Sequence, residues 1–462
     1  MPNSASGLQP LLGMLPQRQR NLIRGWRSTS SMMIYPTGTI RIGDARLRMM
    51  TKRRIAQTLA DLRRRGVGFF WIRCGAGLPW FWPAQPRGNN AMVEARRLVR
   101  WHFGRDHPPV RRRLAQVLVT VTWPLAVLAN LWLVWKWFEP RQAFLKRVPG
   151  ALWAAIRHNI FPYEYYEYRL WQPDRRMNID NYLYDREAAR LFKVLNRRSE
   201  VDPVVDKLAF YKLCKTHGIP TPEVLAAFAP TGTLMNFQSG LPPQYDLFVK
   251  ARTGMHGLGA ERFRWDRLLF QSNRGCRLRP EDLGDYLAKR ARTENLTLLV
   301  QPVLSNHPDL GTDSNEALAT ARLVTGRSIG GEVTPIFCFV VFGRADKITA
   351  HTNWVTLIDV AKGRFMPAPQ QDIPGQYRQF KSNDACLPDW DAALGYVTAA
   401  HSACLDFVFI GWDVAFTPGG VMILEGNTNW TAGTYQSLTG EPLGLTKFEG
   451  VLATRLSHLK SD

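Results

Sequence analysis

Two carboxylates and an amide near the C-terminal end of the sequence have the types and spacing of a cation site. Residues 411–430 read GWDVAFTPGGVMILEGNTNW, a pattern that predicts two strands joined by a turn centred on Gly419. In that register Asp413 and Glu425 face each other across the hairpin, and Asn427 lies on the same face. Carboxylate and amide oxygens that converge on one point suit Mg²⁺, which keeps water and phosphate oxygens as its other ligands. The hairpin is therefore predicted to hold a magnesium ion.

The alternative is an exposed hairpin whose carboxylates are simply hydrated. Opposed carboxylates destabilise a ladder unless a positive charge lies between them, and neither predicted strand contains a Lys or Arg. This favours a metal ion over hydration. The residues predicted to lie on the opposite face, in the core, are Val414, Phe416, Met422 and Leu424.

A glycine-rich loop after a predicted strand is the second candidate site. The strand YDLFVK ends at Lys250 and runs into ARTGMHGLG. Gly254, Gly257 and Gly259 allow backbone N–H groups to surround a phosphate, and Lys250 adds a point charge. The loop matches neither the Walker A pattern nor the dinucleotide pattern G-x-G-x-x-G, so an ordinary glycine-rich turn is the alternative.

Helices and strands alternate around these residues in the body of the chain. Apolar residues at helical spacing predict helices within 178–198, 206–217 and 390–407. Apolar runs predict strands over 245–250, 296–304 and 332–342. Lys207 lies in the first turn of the second helix, and Arg322 lies in the segment 317–325. The stretch 363–388 is rich in Pro, Gln and Asp and is predicted to be a long ordered loop.

The order of these features resembles the ATP-grasp superfamily, and more narrowly the sugar-transfer-associated ATP-grasp family, which is related to glutamate-ligase-like enzymes. The resemblance covers about 160–460 and depends on five segments: DKLAFYKLCKTHGIPTP, FVKARTGMHGLG, LVQPVLSNHP, ATARLVTG and GWDVAFTPGGVMILEGN. It implies an α+β fold in which two α+β subdomains grip ATP, preceded here by a basic, partly apolar, helical N-terminal region.

The resemblance also assigns roles to residues of the nucleotide site. Lys207 and Lys250 would contact the phosphates of ATP, and the loop 254–259 would cover them. The strand at Val300 and Gln301 would meet the adenine. Relatives often carry an acidic residue after the glutamine, whereas this chain has Pro302, so the contact to the ribose stays unassigned.

For the reacting end of ATP, the resemblance implies Mg²⁺ ligands at Asp413, Glu425 and Asn427. Arg322, together with Lys250, would stabilise the transferred phosphoryl group or an acyl phosphate. A salt-bridged structural arginine is the alternative for Arg322. Asn353 matches a position near the metal.

The implied chemistry is the activation of a carboxylate by ATP. An acyl phosphate forms and an amine displaces phosphate, which gives an amide, ADP and phosphate. The expected role is in cell-envelope, exopolysaccharide or sugar-conjugate biosynthesis. Kinase-like transfer to a sugar is one alternative, and a catalytically silent nucleotide-binding scaffold at the membrane is another.

Charge is distributed unevenly along the 462 residues, whose formal net charge is +22. Residues 1–150 hold 26 Lys and Arg against 5 Asp and Glu, and residues 151–462 hold 34 against 33. Such asymmetry indicates an anionic partner for the first part alone, either a membrane surface or a nucleic acid. Nucleic acid is disfavoured because no RNP, helix-turn-helix or zinc-finger pattern is present.

The uncharged run 114–135 is long enough to span a bilayer, but Pro124 lies in it and basic residues flank both sides. A span, a helix lying in the membrane interface and a core helix all stay open. Six scattered cysteines without C-x-x-C spacing favour reduced thiols in the cytoplasm, and a position at the inner face of the plasma membrane follows for the basic part.

The sequence is thus divided into five predicted segments. They are a basic leader (1–113), an apolar and potentially membrane-associated helical segment (114–150), the N-terminal part of the body (151–225), a lid subdomain with the glycine-rich loop (226–300) and a C-terminal subdomain with the metal site (301–462).

Overall fold

The computed structural model of this chain describes most of its body and part of the region before it. The described residues are 90–106, 123–136, 138, 141–196, 203–254, 259–310, 317–343, 354–367 and 385–461. Three features predicted from the sequence therefore lie outside them: the leader up to residue 89, Gly257 with its neighbours in the glycine-rich loop, and Asn353. Most of the loop 363–388 lies outside them as well.

Ten helices are defined in the described residues. They are α1 Ala91–Asp106, α2 Arg141–His158, α3 Pro162–Glu167, α4 Pro173–Met177, α5 Asp185–Leu195, α6 Lys207–Thr216, α7 Pro280–Glu294, α8 Trp390–Ala403, α9 Gly433–Thr439 and α10 Lys447–Ser461. Residues 123–136 are helical too, and short 3-10 turns occupy Ile179–Asn181, Pro308–Leu310 and Leu443–Leu445.

The helix predicted over 206–217 is α6, and its ends follow from the residues that bound it. Asp206 caps its first turn, because the carboxylate accepts hydrogen bonds from the backbone of Leu208 and Ala209. Gly218 follows in the left-handed region with φ of 64°, a conformation that glycine adopts at little cost.

The first sheet has seven antiparallel strands in the order β2-β1-β7-β3-β4-β5-β6. Its strands are β1 Ala226–Ala229, β2 Gly232–Met235, β3 Leu247–Ala251, β4 Glu261–Trp265, β5 Phe270–Ser272, β6 Arg277–Leu278 and β7 Leu298–Pro302. Helix α7 covers one face, because Leu283, Leu287 and Ala291 recur at helical spacing and pack against buried strand residues such as Val249 and Val300.

The second sheet has six antiparallel strands in the order β11-β10-β9-β8-β12-β13. Its strands are β8 Thr320–Arg327, β9 Val333–Phe342, β10 Trp354–Asp359, β11 Arg364–Phe365, β12 Phe409–Thr417 and β13 Gly420–Asn427. Successive residues enter different cores: Leu323 joins the core that includes α8, whereas Val324 joins the core that includes α10. This sheet is therefore buried on both faces.

The hairpin β12–β13 contains a β-bulge that the sequence did not predict. Thr417 pairs with Gly420 next to the turn, and the register shifts by one residue between Val414 and Asp413. The core residues of β13 are therefore Val421 and Ile423. The prediction that Met422 and Leu424 belong to the core is wrong, since both are only half-buried.

Helix α1, which lies within the predicted leader, packs into the core of the body. Arg96 is buried, and its guanidinium donates to both carboxylate oxygens of Glu187 at 2.9 and 2.8 Å and to the carbonyls of Asp180 and Tyr182. A guanidinium satisfied in this way is a structural group. Its positive charge is not exposed to an anionic partner.

No helix in the described part of the chain is both long enough and apolar enough to cross a membrane. The predicted run 114–135 is described only from residue 123 onward, so its first part lies outside the structure's description.

A buried ion pair joins the end of the first sheet to α7. Arg290 donates to Glu261 at 2.6 Å and to the Gly259 carbonyl at 2.7 Å. Glu261 is fully buried and also accepts hydrogen bonds from Ser272 and Tyr286. This network fixes Gly259, the last residue of the glycine-rich loop.

Glu261→Gln should lower the free energy of unfolding by about 1.5–3 kcal/mol, because it removes the fully buried one of the two carboxylates that pair with Arg290 and leaves only the partly exposed Glu294. Urea unfolding of the two proteins measures the difference. Glu281→Gln, at an exposed position on α7, is the matched control and should change stability by less than about 1 kcal/mol. Equal losses in the two variants would contradict the structural role given to this pair.

Candidate active site

The two carboxylates predicted to face each other do so. Asp413 on β12 pairs with Glu425 on β13, which confirms the predicted register at this position. Strand β12 also pairs with β8, where Arg322 lies opposite Asp413. Arg322 Nε donates to Asp413 Oδ1 at 2.6 Å, and Asn427 Nδ2 lies 3.4 Å from Asp413 Oδ2. The site therefore contains a positive charge on the strand next to the hairpin.

Two lysines approach the same carboxylates from outside the second sheet. Lys207, the first residue of α6, places Nζ 3.2 Å from Glu425 Oε2 and donates to the Gly254 carbonyl at 3.0 Å. Lys250 lies on β3, and its charge interacts with those of Glu425 and Asp413. Helix α6 and strands β3 and β8 thus bring three cations to the two carboxylates of the hairpin.

Electrostatics differ between the two carboxylates. Burial raises the pKa of Asp413, with Arg322 opposing the shift and the nearby charge of Glu425 adding to it. Burial also acts to raise the pKa of Glu425, but Lys207 and Lys250 outweigh it and hold that pKa below its usual value. Burial lowers the pKa of Lys250 to about 8.

A further ion pair positions Lys207 and the beginning of the glycine-rich loop. Arg252 Nε donates to both carboxylate oxygens of Asp206, at 2.8 and 2.9 Å. The Arg252 carbonyl in turn accepts a hydrogen bond from the backbone N–H of Lys207 at 3.0 Å. The helix start and the strand end are therefore fastened to each other directly beside the site.

The described glycines of the loop both require the conformational freedom of glycine. Gly254 has φ of 116° and Gly259 has φ of 71°. A Cβ on Gly259 would also lie 3.4 Å from Ala251 Cβ. Gly257, predicted with them, lies outside the described residues.

The residues predicted to meet adenine lie on the buried strand β7. The Val300 carbonyl accepts from the backbone N–H of Leu225 at 2.8 Å. The buried side chain of Gln301 donates from Nε2 to the Pro222 carbonyl at 3.0 Å. These groups hold the strand and its neighbours, and a contact to a nucleotide base stays a prediction.

The oxygens of Asp413, Glu425 and Asn427 fit a hard divalent cation in their chemistry. Within the described residues there is no group of three or more His, Cys, Asp and Glu side chains that could hold a metal. The candidate set instead has two carboxylates and an amide, which leaves positions for water and phosphate oxygens. The raised pKa of Asp413 shows that burial and the neighbouring acid disfavour its charge, and a cation between the two carboxylates would offset this.

Sequence reasoning missed two interactions at this site. A salt-bridged Arg322 is one of the two sequence-based interpretations, but its partner Asp413 does not follow from the sequence, because the two residues are 91 positions apart on different strands. The pairing of Asp206 with Arg252 was also missed. An acidic residue directly before a helix, together with a basic residue two positions after the strand lysine, is the signal that was present.

A family model described as sugar-transfer associated ATP-grasp matches residues 186–447, which is more than half of the chain. No curated protein matches the sequence.

Several solved structures are similar to this chain at low sequence identity. The D-alanine–D-alanine ligase from Helicobacter pylori is 15% identical with a TM-score of 0.33, over 60% of this chain and 70% of that chain. The D-alanine–D-alanine ligase from Bacillus anthracis complexed with ATP is 12% identical with a TM-score of 0.34, over 56% and 68%. The ADP complex of an N5-carboxyaminoimidazole ribonucleotide synthetase is 13% identical with a TM-score of 0.30, over 50% of this chain and 46% of that chain. The match thus spans about half the length of that last protein.

The lowered pKa of Lys250 gives a prediction for the nucleotide-free, metal-free protein. Between pH 8 and the usual lysine pKa of 10.5, the unfolded chain binds more protons at this residue than the folded chain does. The stability of the wild type relative to Lys250→Met should therefore rise with pH over this window, by up to about 3 kcal/mol. Urea unfolding at pH 7.5 and pH 10 measures the change.

Lys289→Met, at an exposed position on α7, is the control for that comparison and should leave the pH profile unaltered. A wild type that loses stability relative to Lys250→Met as the pH rises would contradict the burial of this charge.

Proposed function

The chain belongs to the sugar-transfer-associated ATP-grasp family, and from that membership we propose that it is an ATP- and Mg²⁺-dependent carboxylate–amine ligase. Its fold is the α+β ATP-grasp fold. We place its substrates in cell-envelope, exopolysaccharide or sugar-conjugate biosynthesis. The observation that carries the proposal is the convergence of Lys207, Lys250 and Arg322 on the opposed carboxylates Asp413 and Glu425.

Lysine side chains bind the phosphates of ATP in this proposal. The Lys207 ammonium has three N–H donors, of which the Gly254 carbonyl and Glu425 take two. A third donor is left for a phosphate oxygen. Lys250 is more than half protonated below pH 8, and an anionic phosphate would favour its charged form further.

The reaction then proceeds in two steps. An oxygen of the substrate carboxylate attacks the γ-phosphorus, the bond to the β,γ-bridging oxygen breaks, and ADP leaves. The amine nitrogen next attacks the carbonyl carbon of the acyl phosphate, phosphate leaves with its bonding electrons, and the nitrogen gives up its extra proton. Arg322 stabilises the negative charge that is transferred in the first step.

Asp413, Glu425 and Asn427 would hold Mg²⁺, which when bound supplies positive charge to the phosphoryl oxygens. Arg322 holds Asp413 in position through the 2.6 Å contact from Nε, so it acts both on the substrate and on a metal ligand. The catalytic and the structural interpretations of this arginine are therefore compatible.

Kinase-like transfer to a sugar and a catalytically silent scaffold, the two alternative functions, differ from a ligase in the substrates that they require. A ligase turns over ATP repeatedly only when a carboxylate and an amine are both present. Kinase-like transfer releases ADP with a sugar hydroxyl alone, and a scaffold binds ATP without any turnover. Five charged side chains around one point favour a reactive site over a scaffold, because unpaired or imperfectly paired buried charges cost stability.

Wild-type protein should show a higher thermal unfolding midpoint with ATP and Mg²⁺ than with ATP alone, and Glu425→Gln should lose the Mg²⁺-dependent part. Ligand at about 100 times its Kd adds about 2.7 kcal/mol of stability, which shifts the midpoint by a few degrees. Glu281→Gln should keep the full shift, since its carboxylate is exposed on α7. A wild type without any ATP-dependent shift would refute the enzyme proposal.

We further propose that the segment 123–158 rests on an anionic membrane surface. Leu125, Leu128 and Trp132 lie at helical spacing and are 62%, 60% and 52% exposed. Leu145, Trp153 and Ile156 are exposed on α2, the next helix. Basic side chains flank this apolar surface, among them Lys136, whose Nζ lies 3.6 Å from the ring centre of Trp132. Apolar residues beside basic ones are typical of helices that lie in a membrane interface.

Full-length protein should float with vesicles of phosphatidylserine and phosphatidylcholine, and a triple variant with serine at 125, 128 and 132 should float at least several-fold less. The reason is the loss of the apolar contact area. A control with serine in place of the exposed Leu234 and Leu268 should float like the wild type. Equal flotation of the triple variant and the wild type would exclude this surface.

A further inference from the structure

A second group of carboxylates lies against the loop that follows β13. Glu167 is the last residue of α3 and Asp185 is the first residue of α5. Asp185 Oδ2 accepts a hydrogen bond from Thr431 Oγ1 at 2.6 Å, and the backbone N–H groups of Ala432 and Gly433 also contact this carboxylate. We call Glu167 and Asp185 the acidic pair.

Both carboxylates of the acidic pair lie close to Gly433. A Cβ built on Gly433 would lie 3.2 Å from Asp185 Oδ2 and 3.3 Å from Glu167 Oε1. The two carboxylate oxygens therefore cannot be farther apart than the sum of these distances. Any larger residue at 433 would fill the space between them.

Two buried polar atoms beside the acidic pair have no hydrogen-bond partner in the described part of the chain. They are Asp185 Oδ1 and the hydroxyl of Tyr168, a side chain that is fully buried. Tyr168 directly follows Glu167 in the chain, and burial, followed by the charges of Asp185 and Glu167, raises the pKa of its hydroxyl. Buried polar atoms without partners are rare and lower stability, so a ligand that forms hydrogen bonds with them gains affinity.

The acidic pair also lacks the counter-charge that other buried acids have. Arg96 pairs with Glu187 and Arg290 pairs with Glu261, but among the described residues no lysine or arginine forms an ion pair with Glu167 or Asp185. Burial raises the pKa of Glu167 well above its usual value, and burial raises that of Asp185 as well. The negative charges of Asp185 and Glu164 add to the shift of Glu167, and a positive ligand would favour the charged form of both carboxylates.

The loop connects the acidic pair to the reacting end of the nucleotide site. A Cβ on Gly411 would lie 3.0 Å from Trp430 Cβ and 3.3 Å from Arg322 Cδ. Trp430 and Arg322 therefore flank the same residue of β12. Thr431 directly follows Trp430 and bonds Asp185, so the acidic pair lies one residue along the loop from this contact.

From these contacts we infer that the acidic pair, with the Tyr168 hydroxyl, binds the primary ammonium group of the substrate that carries the amine. An ammonium group has three N–H donors, which match Asp185 Oδ1, a Glu167 oxygen and the Tyr168 oxygen as acceptors. One carboxylate of the acidic pair takes a proton from the bound ammonium group, which leaves the nitrogen with the lone pair that attacks the acyl phosphate. This inference rests on the proposed ligase function and assigns the acceptor end of the same site. It also states the substrate class: a small molecule or sugar with a free primary amine.

The test compares each of two amines with its uncharged acetylated form. Ethanolamine and glucosamine are added to full-length protein, and N-acetylethanolamine and N-acetylglucosamine serve as matched probes that lack the positive charge. At least one amine should raise the thermal midpoint of the wild type by a degree or more, and its acetylated form should not. This comparison needs no variant.

Variants then locate the binding. Asp185→Asn and Glu167→Gln should each reduce the amine-dependent shift by at least half while keeping the shift given by ATP and Mg²⁺, which also reports that they fold. Gly433→Ala should reduce it too, because its Cβ enters the space between the two carboxylates. Asp309→Asn and Glu281→Gln change exposed acids and should keep both shifts.

The amine-dependent shift tests the amine site, and the ATP-dependent shift tests the ligase proposal. The amine site would be overturned if neither amine changed the thermal midpoint of the wild type. It would also be overturned if Asp185→Asn and Glu167→Gln showed the same amine-dependent shift as the controls. In both cases a retained shift with ATP and Mg²⁺ would leave the ligase proposal standing. Loss of the ATP shift in the wild type, with the charge-dependent amine shift present, would overturn the ligase proposal and support the amine site.

Discussion

Like charges placed opposite each other in a β-ladder are the constraint on which this architecture depends. Asp413 and Glu425 occupy paired positions on adjacent strands, where their repulsion opposes the pairing of those strands. This repulsion is offset by a guanidinium from the next strand and an ammonium group from the start of α6. Helix α6 is held to the end of β3 in the first sheet through Asp206 and Arg252. Because Lys207 of this helix also pairs with Glu425, the interactions that neutralise the hairpin connect the second sheet to the first.

Much of this arrangement was readable from the sequence, because it depends on local pattern. The helix at 206–217, the strand ending at Lys250 and the facing of Asp413 with Glu425 follow from capping, alternation and turn position. The partners of Asp413 did not follow, since Arg322 is 91 residues away and meets it only through the pairing of β8 with β12. The error at Met422 and Leu424 has a different cause: a single bulge reverses the face of every residue between it and the turn.

Net charge alone does not tell which individual charges are available to a partner. Arg96 contributes to the excess of basic residues in the first 150 positions, yet it is enclosed by Glu187 and two carbonyl groups inside the body. Composition counts charges without their counter-ions, which become visible only in the fold. The exposed apolar side chains at 125, 128 and 132 were not apparent from composition for the same reason, since a hydrophobic run does not state which of its faces is covered.

The bulge in β12–β13 limits how the length of this hairpin can change. In a perfectly regular ladder counted from the pairing of Thr417 with Gly420, Asp413 would lie opposite Leu424. That pairing avoids the repulsion between two carboxylates, but it does not form a cation site. The extra residue interrupts the ladder and places the two acids opposite each other. The hairpin loses some stability and gains the candidate cation site. An insertion or deletion of one residue in either strand between the turn and the acids would move Asp413 and Glu425 out of register. The turn itself also constrains the sequence, because Gly420 has φ of 101°, a conformation that favours glycine.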